Sequence, residues 1–136
     1  MKQKKTALIF GISGQDGSYL AHFLIKKKYK VIGITRNKSK KNLFRLEKLK
    51  IFKMVKIIKE SALNKNFLNN LIKKNLNIKE IYYFAGDSSV TRSFEQPEES
   101  LKSNVLGILN ILLSVKKNNK KIKIFNATSG QFFGNN

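Results

Sequence analysis

Three glycines spaced three residues apart, Gly11, Gly14 and Gly17, stand where a short apolar run gives way to an amphipathic segment. This spacing is typical of a turn that holds the pyrophosphate of a dinucleotide. The first glycine permits a tight turn, the second lets the backbone approach the phosphates, and the third allows a helix to pack closely on a sheet. A Walker-type phosphate loop would end in Gly-Lys followed by Ser or Thr, and that ending is missing here. The sequence therefore predicts a dinucleotide site, with an ordinary glycine-rich turn as the alternative.

The residues after the second apolar run indicate which dinucleotide is bound. A site for NAD usually places Asp or Glu about 20 residues after the glycine turn, where it binds the ribose 2′-hydroxyl. Residues 35–40 include no acid, and Arg36 stands there instead. Arginine pairs with a phosphate through two N–H donors and stacks on an aromatic base. We therefore predict NADP, with Arg36 at the 2′-phosphate. The alternative is that Arg36 is one more surface cation.

Several kinds of chemistry are excluded by the residue types that are missing. The 136 residues include no Cys and one His, His22. A disulfide framework, a thiolate metal site, a Cys nucleophile and a multi-histidine metal centre are therefore excluded, and we predict no metal. No stretch approaches the about 20 apolar residues needed to cross a bilayer, and the basic start followed by Thr6–Phe10 lacks a cleavage pattern. We expect a soluble, cytoplasmic protein.

The net charge of +20, with a sequence pI near 10.3, favours a nucleic-acid partner at first sight. However, only three of the basic residues are arginines: Arg36, Arg45 and Arg92. Proteins that recognise phosphates and bases specifically use the planar guanidinium of arginine in preference to the ammonium of lysine. The 25 Lys, 15 Asn and 15 Ile residues are typical of an A/T-rich coding sequence. We interpret the charge as compositional and expect no nucleic-acid partner. A basic nucleic-acid-binding module remains the alternative from another class of function.

Short apolar runs alternate with amphipathic segments, as they do in a parallel sheet with crossover helices. The pattern predicts strands at 6–10, 30–35, 53–58, 78–84 and 122–126, helices at 18–28, within 37–50, at 64–75 and at 97–117, and a polar loop at 85–92. The last helix is expected to turn six side chains inward: Leu101, Val105, Ile108, Leu109, Leu112 and Val115. The predicted fold is α/β, a Rossmann-type doubly wound parallel sheet in one domain, 1–136. One edge of this sheet would be uncovered.

Several segments resemble GDP-mannose 4,6-dehydratases, which belong to the extended short-chain dehydrogenase/reductase superfamily of nucleotide-sugar epimerases and dehydratases. The segments 11–20 (GISGQDGSYL) and 33–36 (GITR) match the family at the cofactor site. Segments 85–90, 93–97, 104–107 and 126–134 match it elsewhere. The resemblance covers essentially the whole chain, and the GQDGSYL string is specific to this branch.

The resemblance implies an NADP-dependent lyase acting on a nucleotide-sugar such as GDP-mannose. In the family, NADP⁺ takes a hydride from sugar C4, a base removes the C5 proton, water leaves from C6 and the hydride returns to C6. For the cofactor, the resemblance implies that Ser13, Gln15 and Asp16 belong to the phosphate turn, that Arg36 binds the 2′-phosphate, that Glu60 stands where an Asp contacts adenine, and that Ala85 and Gly86 flank the dinucleotide. For the substrate, it implies that Ser88 contacts the nucleotide-sugar and that Ser129 hydrogen-bonds the sugar O4.

Two departures from the family pattern bear on catalysis. The C5 base of the family is a Glu two positions after the residue matched by Ser129, and here that position is Gln131, whose carboxamide cannot accept the proton as a carboxylate does. This favours a weakened dehydratase or a related epimerase or reductase without dehydration. Gln131 as a packing residue is the alternative. The family also needs a Tyr-x-x-x-Lys pair, which none of the four tyrosines forms.

The chain also lacks the C-terminal region with which the family recognises the nucleotide-sugar. We therefore interpret 1–136 as the NADP-binding N-terminal portion of a longer enzyme, catalytically incomplete by itself. The full-length enzyme is expected to be a homo-oligomer.

Overall fold

The computed structural model describes residues 4–86 and 89–128. The strands are β1 (Thr6–Phe10), β2 (Lys30–Thr35), β3 (Val55–Lys59), β4 (Ile78–Tyr83) and β5 (Lys123–Asn126). The helices are α1 (Gln15–Lys26), α2 (Lys40–Lys48), α3 (Lys65–Lys74), α4 (Val90–Glu95), α5 (Pro97–Leu101) and α6 (Gly107–Asn118). A 3₁₀ turn (Phe52–Met54) precedes β3, and a π-helical segment (Lys102–Leu106) joins α5 to α6. Within the described ranges, no helix is long and apolar enough to cross a membrane.

The five strands form one parallel sheet in the order β3-β2-β1-β4-β5. The chain builds outward from β1 to β3 and then returns to the other side of β1 to add β4 and β5. This change of direction creates a crevice between the carboxyl ends of β1 and β4, where ligands of open α/β sheets bind. The predicted doubly wound parallel sheet is confirmed.

Side chains of β1 alternate between two cores, and all five of its residues are buried. On one face, Leu8 and Phe10 belong to a core that α3 and α6 cover with Leu68, Ile72, Ile111 and Val115. On the other face, Ala7 and Ile9 belong to a core that α1 and α2 cover with Ala21, Leu24, Leu43 and Leu46. A central parallel strand must be apolar on both faces because helices cover both sides of the sheet, which explains the continuous apolar run TALIF.

Several predicted boundaries were wrong by a few residues. The helix α1 begins at Gln15 and not at residue 18, because the glycine turn leads directly into the helix. It ends at Lys26, and Lys28 adopts a φ of 64° beyond its end. The strand β3 begins at Val55 and not at residue 53, because Phe52–Met54 form the 3₁₀ turn.

The segment 85–92, predicted as a polar loop, includes the start of α4. Ser89 caps this helix: its Oγ accepts a hydrogen bond from the Arg92 backbone N–H, with an N to O distance of 3.2 Å. A serine placed in this way satisfies one of the donors that the first turn of a helix leaves open. A serine directly before an apolar residue is the feature of the sequence that could have predicted this helix start.

The segment 97–118 is helical, as predicted for 97–117, and two of the six residues expected to point inward do so, since Val115 is buried and Ile108 packs against the core. Four of the six residues are largely exposed: Leu101 (58%), Val105 (48%), Leu109 (43%) and Leu112 (47%). The buried residues of α6 are instead Gly107, Asn110, Ile111, Ser114 and Val115. This buried stripe includes small and polar residues as well as apolar ones. A prediction based on apolar residues alone therefore chose the other side of α6. The π-helical segment also interrupts the α-helical spacing, so a side-chain pattern counted along α5 does not continue on the same face of α6.

Candidate cofactor site

A cleft of about 290 Å³ opens at the carboxyl edge of the sheet, beside the ends of β1, β2, β3 and β4. Each of these strand ends contributes predicted site residues to its lining. They are Gly11 and Gly14 after β1, Arg36 after β2, Glu60 after β3, and Ala85 and Gly86 after β4. Residues far apart in the sequence therefore meet around one cavity, at the place where the topology predicts a ligand.

The glycine turn has a backbone that requires glycine at two of its positions. Gly11 adopts a φ of 80°, and a Cβ there would lie 2.7 Å from the Phe84 carbonyl oxygen. A Cβ on Gly17 would collide with the carbonyl oxygen of Gly11. The turn therefore packs against the backbone that follows β4 on one side and against the first turn of α1 on the other. Gly14 is the N-cap of α1 and is exposed toward the cleft.

The remaining residues predicted for the phosphate turn are not among those that line the cleft. Ser13 is half-buried, with its Oγ 3.4 Å from the Thr35 Oγ1. Gln15 and Asp16 are exposed in the first turn of α1. The backbone N–H groups at the start of a helix have no partner inside the helix and carry its positive end. The backbone of these residues can therefore donate N–H hydrogen bonds to an anion, independently of where the side chains lie.

The loop that presents Arg36 is held by a compact set of hydrogen bonds. Thr35 Oγ1 donates to the carbonyl oxygen of Asn37 (3.1 Å) and accepts from Asn42 Nδ2 (3.2 Å). Asn42 Nδ2 also donates to the Asn37 carbonyl oxygen at 2.6 Å. Ser39 caps α2 by accepting from the Asn42 backbone N–H at 3.3 Å. The loop backbone is thus fixed while the Arg36 side chain is exposed on the cleft.

Arg36 also acts electrostatically on the cleft wall. Burial raises the pKa of the Tyr83 hydroxyl, and the positive charge of Arg36 lowers it in part. Tyr83 itself lines the cleft and is only 3% exposed. Arg36 and Tyr83 line the same cleft, and the positive charge of Arg36 there would attract an anionic ligand.

Glu60 is held in place at the end of β3. Its backbone N–H donates to the Thr35 carbonyl oxygen at 3.0 Å. Its carboxylate accepts from the Ser61 N–H at 2.9 Å and from Asn64 Nδ2 at 3.1 Å. A carboxylate has about four acceptor positions, so this side chain can still accept a hydrogen bond from an amino group in the cleft.

The far wall of the cleft includes residues that the sequence analysis missed. The Tyr83 hydroxyl donates to the Ser103 carbonyl oxygen, inside the π-helical segment. Lys102 Nζ lies 3.0 Å from Glu99 Oε1, and all of these residues line the cavity. The π-helical turns of proteins are frequent at functional sites, because the widened turn re-aims backbone groups. Neither composition nor spacing indicated this widened turn.

The residues expected to touch the substrate, Ser88, Ser129 and Gln131, lie outside the described residues. The described part of the site is therefore the part expected to hold the dinucleotide. A parallel sheet of this order, with a glycine turn and a helix start at its switch point, defines the Rossmann-type class of α/β domains.

Comparison with known proteins gives the family within this class. The family model for GDP-mannose 4,6-dehydratase matches residues 8–136, and the chain belongs to this family. It is 34% identical to GDP-mannose 4,6-dehydratase of Yersinia enterocolitica, over 96% of this chain and 37% of that protein. It is 35% identical to GDP-mannose 4,6 dehydratase of Cricetulus griseus, over 98% of this chain and 38% of that protein. The chain thus spans less than two fifths of the length of these relatives, and the resemblance seen in the sequence is confirmed.

Solved structures of similar fold include UDP-glucose 4-epimerases. A UDP-glucose-4-epimerase from Stenotrophomonas maltophila with bound NAD superposes with a TM-score of 0.83 at 18% identity, covering 97% of this chain and 39% of that chain. The UDP-glucose 4-epimerase from Bifidobacterium longum, in complex with NAD⁺ and UDP, gives 0.81 at 26% identity, covering 96% of this chain and 38% of that one. The first likeness shows the fold alone.

Proposed function

We propose that this chain is the NADP-binding part of a nucleotide-sugar dehydratase that acts on GDP-mannose or a close relative of it. The observation that carries the cofactor assignment is Arg36 on the cleft, at the end of β2, with no carboxylate in residues 35–40. A carboxylate there would repel a 2′-phosphate, whereas a guanidinium pairs with it. The family and the NAD-bound epimerases of the same fold support a nicotinamide dinucleotide as the ligand.

The described residues fit such a ligand. Gly11 and Gly17 let the turn pack closely against the backbone at Phe84 and against the start of α1. Gly14, the N-cap of α1, lines the cleft, so the first open N–H groups of the helix lie next to it. In the proposed complex, Gly14 and the backbone of Gln15 and Asp16 hold the pyrophosphate, together with the turn residue Ser13. Arg36 binds the 2′-phosphate, Glu60 accepts a hydrogen bond from adenine, and Ala85 and Gly86 flank the dinucleotide. The bound cofactor supplies a hydride acceptor, and this chain binds and orients it.

The substrate side of the proposal follows from the family. Ser88 would contact the nucleotide-sugar and Ser129 would hydrogen-bond the sugar O4. Gln131 replaces a general base, so an epimerase or reductase without dehydration is the alternative reaction. Because the sequence has no Tyr-x-x-x-Lys pair, we expect cofactor binding without turnover from these residues alone. The absence of Cys fits a reducing compartment, and we place the protein in the cytoplasm.

The cofactor assignment is tested by titrating NADPH and NADH into the wild-type chain and into Arg36→Ala, following the fluorescence of the reduced nicotinamide. The chain has no Trp, so no indole emission overlaps the signal. Losing a charge-assisted pair to phosphate costs about 1.5–3 kcal/mol, so NADPH affinity should fall by about 10- to 100-fold. The NADH affinity should change little, because NADH has no 2′-phosphate.

Lys38→Ala is the matched control, since it removes a cation from the same loop at a residue that does not line the cleft. It should leave both affinities nearly unchanged. An equal loss for the two cofactors in Arg36→Ala, or a wild-type chain that prefers NADH, would contradict the 2′-phosphate assignment.

A further inference from the structure

Arg45, in the second turn of α2, reaches back to the glycine turn. Its Nη1 donates to the carbonyl oxygen of Ser13 across 3.2 Å, although the two residues are 32 positions apart. The guanidinium lies 4.6 Å from the centre of the Phe44 ring. Arg45 is half-buried and is one of three arginines in a chain whose other basic residues are lysines. Arg45 lies outside the glycine motif and outside the residues that line the cleft.

This contact fixes one peptide plane of the glycine turn. The peptide between Ser13 and Gly14 accepts from Arg45 through its carbonyl oxygen. It donates to the Gly11 carbonyl oxygen through the Gly14 N–H, at 3.0 Å. Because a peptide unit is planar, bonds at both of its ends set its orientation. Gly14 is the N-cap of α1, so this plane determines where the first open N–H groups of the helix point.

The same helix also fastens the loop that presents Arg36. Asn42, three residues before Arg45 and on the same side of α2, donates to Thr35 Oγ1 and to the Asn37 carbonyl oxygen. One helix thus holds the phosphate turn and the loop after β2 in a fixed relation to each other. Arginine suits the first of these contacts better than lysine does, since its planar group can stack on a ring while its edge donates.

We propose that Arg45 is a positioning residue for dinucleotide binding, which orients the N–H groups of the glycine turn toward the pyrophosphate. This inference rests on the proposed function, and it extends that function to a residue that does not line the cleft. Because the pyrophosphate is common to NADPH and NADH, Arg45 governs affinity for both cofactors alike. Arg36, by contrast, governs only the choice between them.

The test measures the dissociation constants of NADPH, NADH and ADP-ribose for Arg45→Met, which keeps an apolar chain beside Phe44. Each of the three ligands should bind about tenfold more weakly, while the thermal unfolding temperature stays near that of the wild type. Arg45→Lys should restore part of the affinity, because its ammonium group can reach the Ser13 carbonyl oxygen without stacking in the same way.

Lys48→Met is the matched control. Lys48 lies on the same helix with its Nζ 5.6 Å from the same Phe44 ring, so this variant removes one charge from the same surface and leaves the bond to Ser13 in place. Its affinities for the three ligands should equal those of the wild type. A loss as large as that of Arg45→Met would mean that bulk charge is responsible, and the inference would be wrong.

Two further results would overturn the inference. A loss confined to NADPH would mean that Arg45 contacts the 2′-phosphate directly. Unchanged affinities with a lower unfolding temperature would mean that the contact only stabilises the fold. If Arg45→Met does not fold, Arg45→Lys is judged by the same comparison of NADPH with NADH. Failure of the wild-type chain to bind either cofactor would refute the proposed function itself, whereas wild-type binding with no effect of Arg45 refutes only its positioning role.

Discussion

Glu80 joins two tyrosine hydroxyls on the face of the sheet that α1 and α2 cover. Tyr29 donates to Glu80 Oε1 at 3.0 Å and Tyr82 donates to Oε2 at 2.9 Å. Burial and then the hydrogen bond to Glu80 raise the pKa of Tyr82 from 10.0 to about 12. The same two causes raise the pKa of Tyr29. Both hydroxyls therefore keep their protons in the folded state at pH values where an unfolded chain has begun to lose them.

This cluster predicts that stability falls as the pH rises above 10. The folded chain binds the Tyr82 proton more tightly than the unfolded chain does, so the stabilisation is complete below pH 10 and is lost progressively toward pH 12. Tyr82→Phe removes the titrating group. We expect the free energy of unfolding of this variant to decline less steeply than that of the wild type between these pH values, measured by urea denaturation.

Tyr19→Phe is the control, because it removes a tyrosine hydroxyl from a side chain of α1 that is 58% exposed. It should follow the wild-type pH dependence. Parallel curves for Tyr82→Phe and the wild type would show that the two hydrogen bonds to Glu80 do not hold the protons in the folded state.

At the scale of the elements, α6 is fastened to the loop that forms one wall of the cleft. Asn110 is only 6% exposed, and its Nδ2 donates to the carbonyl oxygens of Ala62 (3.1 Å) and Leu63 (3.4 Å). Ala62 and Leu63 both line the cleft. A polar residue on the buried side of a helix therefore sets the position of a loop that follows β3, across the α3/α6 layer.

Asn110→Leu should lower the free energy of unfolding by about 1–3 kcal/mol, because two backbone carbonyl groups would lose their donor while remaining partly buried. Urea denaturation followed by circular dichroism measures this difference. Hydrophobicity alone would predict a higher free energy of unfolding, because the substitution adds an apolar side chain to the interior.

Leu113→Gln on the same helix is the comparison, because Leu113 is 49% exposed. A surface substitution of this kind changes stability by no more than about 0.5 kcal/mol. If Asn110→Leu were as stable as the wild type, the two hydrogen bonds would contribute nothing to the placement of α6.

At the scale of the whole molecule, the charge of +20 on a 15.6 kDa chain creates a strong positive field. Such a field attracts any polyanion, whether or not the surface has a shape that recognises it. In the proposed complex, the cleft and its Arg36 would provide specific binding of a small anionic ligand, whereas lysines account for most of the charge.

We therefore expect duplex DNA to bind at low ionic strength without sequence preference, and to dissociate near physiological salt. Each phosphate contact releases counterions, so the observed affinity falls steeply as the salt concentration rises. Fluorescence anisotropy of a labelled duplex across a salt series measures this. Heparin, a polyanion without bases, should compete as well as DNA does.

Tight binding that persists at about 0.15 M salt, or a clear preference for one sequence, would favour the nucleic-acid-binding alternative over compositional charge.

Features that depend on local periodicity and backbone geometry could be predicted from the order of the amino acids. The spacing of Gly11, Gly14 and Gly17 predicted the turn because a positive φ and a close approach admit only glycine. Five apolar runs predicted five parallel strands, and the central strand β1 is buried along its whole length because helices cover both faces of the sheet. The absence of an acid after β2 drew attention to Arg36, which the structure places on the cleft.

Contacts between residues far apart in the sequence depend on how the helices and the sheet pack together. The burial of Asn110 and the exposure of Leu109 could not be predicted, because α6 is apolar on two sides and packing chose between them. The contact of Arg45 with Ser13 spans 32 residues. That of Tyr29 with Glu80 spans 51. Local patterns constrain each element, but the partners of a polar side chain depend on how elements dock, and that is a property of the whole fold.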